Sequence, residues 1–293
     1  MAAHAGNIDL QALRSGITPL DGIRRMLAIT DEPKDAASNA FWLVDLLATV
    51  ADAGIGTLLV GRGGNWTISW DGGTSSPLPA PGELPWRDAS AINPAFARRL
   101  NLAERMRADT GLTGPVDPPS PRDRRLAMLL PGRWNGGCTL AELGAAHGLS
   151  LRDPTLDSRV IAFCLRVPDR FFTDPATGED RQLARRLTKG LLPDSVRLAK
   201  PRGHQAVDLV PRLRASRAEI DACLHRLGAG PAAAYLDLRL MRLVWQEALT
   251  VDGPRTSGRA TSVLMRGIGV GLFIDQTLAR SDRPFPESAQ KAN

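Results

Sequence analysis

Between Ala36 and Ala53 the apolar residues Phe41, Trp42, Val44, Leu46, Leu47 and Val50 recur at helical spacing, and Gly54 and Gly56 close the run. Thr57-Leu-Leu-Val60 follows without polar alternation, so it reads as a buried parallel strand. The chain then enters Gly61-Arg-Gly-Gly-Asn-Trp66. A glycine-rich turn at the carboxyl end of a buried strand is where α/β proteins place ligands. No other stretch gives as strong a strand-to-turn pattern.

From Asp71 to Pro94 and from Gly111 to Pro121 the chain turns to Gly, Ser and Pro, which predicts loops. Helical periodicity marks 95–108, 121–130, 139–147, 157–165, 181–191, 215–227, 231–249 and 257–280. Within these, Leu236, Leu240, Leu243 and Val244 form a core stripe. Gly267, Gly269 and Gly271 follow no strand, so they mark a close helix contact or a kink rather than a dinucleotide loop. The expected organisation is a partial α/β portion over 1–70, a helical region over 71–280 and a polar tail over 281–293. The fold class is α/β and mostly helical, with one strand that has no sheet.

Composition narrows the classes. With 293 residues, 43% of them hydrophobic, the chain can bury a sizeable core. The net charge is +6, but only four of the 37 basic residues are lysines and the arginines are scattered, so no nucleic-acid partner is expected. Cys138, Cys164 and Cys223 lie far apart and give neither a disulfide framework nor a C-x-x-C pair. Cys164 falls on the apolar side of a helix, and His147, His204 and His225 are too dispersed for zinc. A reducing cytoplasm is the simplest setting. No signal peptide or membrane span is expected.

Four segments in order carry a resemblance. They are Glu32-Pro33 leading to Asn39-Ala-Phe-Trp42 and Leu58-Leu-Val-Gly-Arg-Gly-Gly-Asn65; His147-Gly-Leu-Ser-Leu-Arg-Asp-Pro-Thr-Leu-Asp157; Phe163-Cys-Leu-Arg-Val-Pro168; and Arg181 to Asp208. The last holds Arg185-Arg186, Gly190-Leu-Leu-Pro193 and Lys200-Pro-Arg-Gly-His-Gln205. Over about residues 30 to 250 this order resembles the synthetase region of the asparagine synthetase family, and in its R-D-P-T-x-D and R-G-x-Q wording the branch that closes lasso peptides.

The resemblance implies a truncated adenine-nucleotide α-hydrolase-like (PP-loop) domain and ATP-dependent amide formation through an acyl-adenylate, with ATP and Mg2+ as cofactors. It implies that Gly61, Gly63 and Gly64 approach the nucleotide, their backbone open and free to take positive φ. Asn65 stands where the family carries a metal-binding Asp, and Trp66 where it carries Glu. Arg152 and Asp153 fall in the substrate-binding segment, in which Ser150 replaces the family's Glu. Arg152 is expected either to pair with Asp153 or Asp157 or to hold a substrate carboxylate. Asp157 reads as a helix N-cap. Lys200 and Arg202, flanking the position of the family's catalytic lysine at Pro201, are the expected catalytic cations.

The family's opening S-G-G-x-D-S loop occurs nowhere in the sequence. Three readings stay open: a start downstream of the true one, a protein partner that supplies the other half of the ATP site, or lost ATP binding. The substrate implied is a precursor peptide or small carboxylate. The alternative is a degenerate, non-catalytic partner that binds a precursor peptide or a paralogue.

Overall fold

A computed structural model describes residues 2–70, 90–108, 120–130, 136–200, 203 and 205–281. The predicted loops and the polar tail lie largely outside these residues. The chain forms two compact units interleaved along the sequence. The first takes its described residues from Met1–Arg14, Leu46–Glu83 and Ala103–His204, the second from Ser15–Asp45, Leu84–Leu102 and Gln205–Asn293. The whole is mostly helical with few strands, the α/β class expected.

The first unit contains the sheet. Strand β1, Thr57–Leu59, does have a partner: β2, Ser150–Arg152, runs parallel to it with Thr57 opposite Ser150, Leu58 opposite Leu151 and Leu59 opposite Arg152. β1 is not the buried strand that its apolar run suggested, because Thr57 and Leu59 are exposed. The Ala40–Asp52 helix before it ends at Gly54, whose φ of +72° supplies the left-handed turn. Behind the sheet ends lies a cluster of Trp70, Cys164, Phe172 and Leu183, with Trp66 and Val160 packed on it. Cys164 is the core residue expected. The Gln182–Leu187 helix is shorter than predicted, and Gly190, at φ +79°, turns the chain into Asp194–Arg197.

The second unit is helical. The Pro19–Thr30 helix, which is not among the helices expected from the sequence, is capped by the Thr18 side chain on the Asp21 N–H and buries Leu20, Ile23, Met26 and Leu27. The predicted 231–249 helix divides into a turn at Pro231–Ala234 and the helix Leu238–Thr250. The break lets Leu236 bridge to Ile92 and the Asp237 N–H reach the Ala91 carbonyl. The buried stripe is therefore Leu238, Met241, Val244, Trp245 and Ala248, and Leu243, placed in the core by its spacing, is 57% exposed. The predicted 95–108 helix breaks at Asn101, which takes a φ of 50°. The 257–280 helix is interrupted by a π-helical turn at Ala260–Met265.

The close contact predicted for the C-terminal glycines is present. A Cβ on Gly267 would lie 2.8 Å from Ala91 Cβ and from Met241 Cε, and one on Gly271 would lie 2.8 Å from Leu227. Gly22 is tighter still, with the Phe41 backbone 2.4 Å from where its Cβ would stand.

Candidate functional site

The carboxyl ends of β1 and β2 lie side by side, and each leads into a short 3-10 turn, Arg62–Trp66 after β1 and Pro154–Leu156 after β2. The last ladder bond runs from the Val60 N–H to the Arg152 carbonyl at 2.8 Å. Beyond it the two turns lock together. The Gly63 N–H donates to Asp153 Oδ2 at 2.7 Å, and the other oxygen of Asp153 accepts from the Thr155 N–H at 2.9 Å and from the Thr155 hydroxyl. Leu156 packs where a side chain on Gly63 would stand, its Cγ 2.2 Å from that Cβ position. Gly63 is thus required by close packing.

This corrects the picture of an open cradle. Gly61, Gly63 and Gly64 are not among the glycines with positive φ, and Gly61 has a φ of −127°. The Gly63 N–H is taken by Asp153, and the Gly64 N–H by the Gly61 carbonyl at 3.2 Å. Asn65 is exposed, and Trp66 turns into the core with its ring 5.9 Å from that of Trp70. Among the described residues no group of three or more His, Cys, Asp or Glu side chains is arranged to hold a metal ion. The donors present do not fit a magnesium triphosphate: the Gly63 and Gly64 N–H groups serve the protein itself, and a lone neutral amide stands where Mg2+ prefers carboxylates.

Arg152 is placed differently. Its side chain is exposed at the end of β2 and forms no hydrogen bond or ion pair with a described residue, so it pairs with neither nearby aspartate. Asp153 serves the Gly63 turn. Asp157 is the N-cap of the Ser158–Arg166 helix, as expected, with its carboxylate accepting from the Arg159 N–H and pairing with the Arg159 guanidinium at 2.9 Å. The hydrogen bond from the Arg159 side chain, and after it the one from its backbone, hold the Asp157 carboxyl down at about 2.

The basic segment is anchored from below. Arg185 donates to the carbonyls of Arg197, at 3.0 Å, and Ala199, and Arg197 returns a bond to the Arg185 carbonyl at 3.2 Å. Lys200 then stands 79% exposed with its ammonium 3.1 Å from Glu179. A surface pair of this kind holds a lysine only weakly. Arg202, the other expected cation, lies outside the described residues. No hydrogen bond or ion pair among the described residues joins Lys200 to the glycine turn or to Arg152.

Arg125 is the residue that the sequence did not single out. Fully buried, it donates to the Cys164 carbonyl and to Asp169, both at 3.0 Å, and its guanidinium carbon lies 4.1 Å from the centre of the Phe172 ring. Burial pulls its pKa below the usual arginine range, with Asp169 opposing that pull. It ties the Pro121–Leu129 helix to the elements behind the sheet ends.

No described helix is long and apolar enough to cross a membrane. No curated protein matches the chain. A family model described as asparagine synthase, however, matches residues 15–270, a span that takes in β1, the glycine turn, β2 and the basic segment. The chain belongs to the asparagine synthase family, whose domains are ATP-dependent amide ligases.

Proposed function

We propose that this chain is the synthetase part of an amide ligase that acts on a peptide side-chain carboxylate, of the kind that closes lasso peptides, with Arg152 as the group that holds the carboxylate. The observation that carries this reading is the uncommitted guanidinium at the end of β2, beside two aspartates that are both committed to local structure. A planar guanidinium suits a two-pronged grip on a carboxylate, and the carboxyl end of a parallel strand is where α/β proteins place substrates. Lys200 and Arg202 supply a second cationic position for an anionic substrate group. ATP belongs to the family's chemistry, and this reading puts the S-G-G-x-D-S loop outside the residues of this sequence, on a protein partner or on a longer form of the chain.

A second reading, a degenerate partner that binds peptide without chemistry, is favoured by that same closed turn and by the absence of a carboxylate cluster among the described residues. Incubating the protein with precursor peptide, ATP and Mg2+, alone and with a separately expressed polypeptide bearing the S-G-G-x-D-S loop, separates the two. Loss of water from the peptide mass with release of pyrophosphate supports the ligase. Peptide binding without either product supports the second reading.

A further inference from the structure

β1 and the segment before it leave two complementary surfaces without a partner. The Val60 N–H bonds to the Arg152 carbonyl, and the Ser150 N–H bonds to the Gly56 carbonyl. In a parallel pair successive residues point their polar groups to opposite edges, so Leu58 faces β2 while the N–H and C=O of Thr57 and Leu59 face the other way. No third strand is paired there among the described residues, and the sheet has two strands. Leu59 is 67% exposed and Ile55 48%. Parallel sheets are ordinarily covered on both faces, and a two-stranded sheet is too small to stand alone.

The matching surface is residues 7–11 of the same unit. Residues 3–14 are all exposed, and 7–17 form no helix or strand. The run Asn7-Ile-Asp-Leu-Gln11 alternates polar and apolar positions, which is the pattern of a half-covered strand. Ile8 is 51% exposed and Leu10 75%, so much of the apolar half of that pattern stands in solvent.

We infer that residues 7–11 of one copy add as a strand to the free edge of β1 in a second copy. Main-chain bonds to Thr57 and Leu59 give the affinity, and Ile8 and Leu10 cover Leu59 and Ile55. Exchange in both directions closes a two-fold dimer, so the exchange itself does not propagate from chain to chain. The inference does not depend on the amide-ligase reading, because it uses the edge of β1 and not the ends of the strands.

Sedimentation of the full chain across the micromolar range, with hydrogen exchange on the peptide spanning residues 55–60, tests it. The expected result is a concentration-dependent dimer in which the β1 amides gain protection on association. Thr57→Pro removes only the outward N–H and leaves Leu58 bonded to β2, while Ile8→Asp alters an exposed segment. Each should weaken association about tenfold or more, the effect of losing roughly one good contact in the arithmetic of affinity. A mixture of Ile8→Asp and Leu59→Lys chains should associate more tightly than either variant alone. A monomer at all concentrations overturns the inference. So does a dimer indifferent to both Thr57→Pro and Ile8→Asp, which would use another face, or β1 protection in the monomer, which would mean that the chain covers its own edge.

Discussion

The two units are held together by different means. The second is closed by hydrocarbon at glycine-tight distances: Leu20, Ile220, Leu227, Met241, Val263, Leu264 and Ile268 are fully buried, and three glycines let neighbouring elements approach where no side chain fits. The first adds to its smaller cluster of Trp70, Cys164, Phe172 and Leu183 a set of directed polar contacts, with Arg125 gripping a carbonyl and Asp169, Asp153 closing the glycine turn, and Arg185 and Arg197 exchanging bonds with each other's carbonyls. Packing resists change everywhere at once, whereas a polar clamp fixes one point and leaves its surroundings accessible. The unit built on clamps is the one that presents Arg152 and Lys200 to solvent.

Each unit has a buried thiol, Cys164 in the first and Cys223 in the second, each with its pKa raised chiefly by burial, while Cys138 is exposed. Alkylation of the buried pair therefore reports the opening of each unit by itself. The largest effect should come from Gly22→Ala, because backbone 2.4 Å away cannot yield as a flexible side chain does. A loss of about 3 kcal/mol in denaturant unfolding is expected, the upper part of the overpacking range, with Cys223 exposed more than Cys164.

Arg125→Ala comes next, at about 2 kcal/mol, because it empties a buried site but strands an Asp169 whose side chain is 43% exposed and so still reaches water. Here Cys164 should be the thiol that speeds up. If both substitutions expose the two thiols equally, the units do not open separately and the contrast fails.

The smallest effect concerns Asp157. Its folded pKa lies below the unfolded carboxylate value, so its stabilising contribution is full above about pH 3.8 and is lost as the pH falls towards 2. Asp157→Asn should flatten that acid limb by lowering stability slightly above about pH 4, neutral pH included, while leaving it unchanged near pH 2, which thermal melts between pH 2 and 7 would show.

What was legible in the sequence follows the same division. The Ala40–Asp52 helix, the stop at Gly54, the cap at Asp157 and the close approach at Gly267 and Gly271 are local patterns whose meaning does not depend on a distant partner. The Pro19–Thr30 helix was missed although Leu20, Ile23, Met26 and Leu27 recur at helical spacing behind the Thr18-Pro19 start and were there to be read. β2 has only three residues, too few for a periodicity to register. The glycine turn looked open because nothing in Gly61 to Asn65 announces that Asp153 and Leu156, some ninety residues on, will fill it. Arg125 is one arginine among many, and only the fold distinguishes it.

The central claim is that the strand ends leave one guanidinium free to hold a carboxylate. Calorimetric titration with a peptide bearing a side-chain Glu, against the same peptide with Gln, measures it in the wild type and in Arg152→Ala. The account predicts that the wild type prefers Glu, and that Arg152→Ala loses roughly ten- to a hundredfold in affinity for the Glu peptide, the worth of a charge-assisted hydrogen bond, with an unchanged melting temperature. Equal binding of the Glu and Gln peptides by the wild type, or Glu binding that survives Arg152→Ala undiminished, would contradict it.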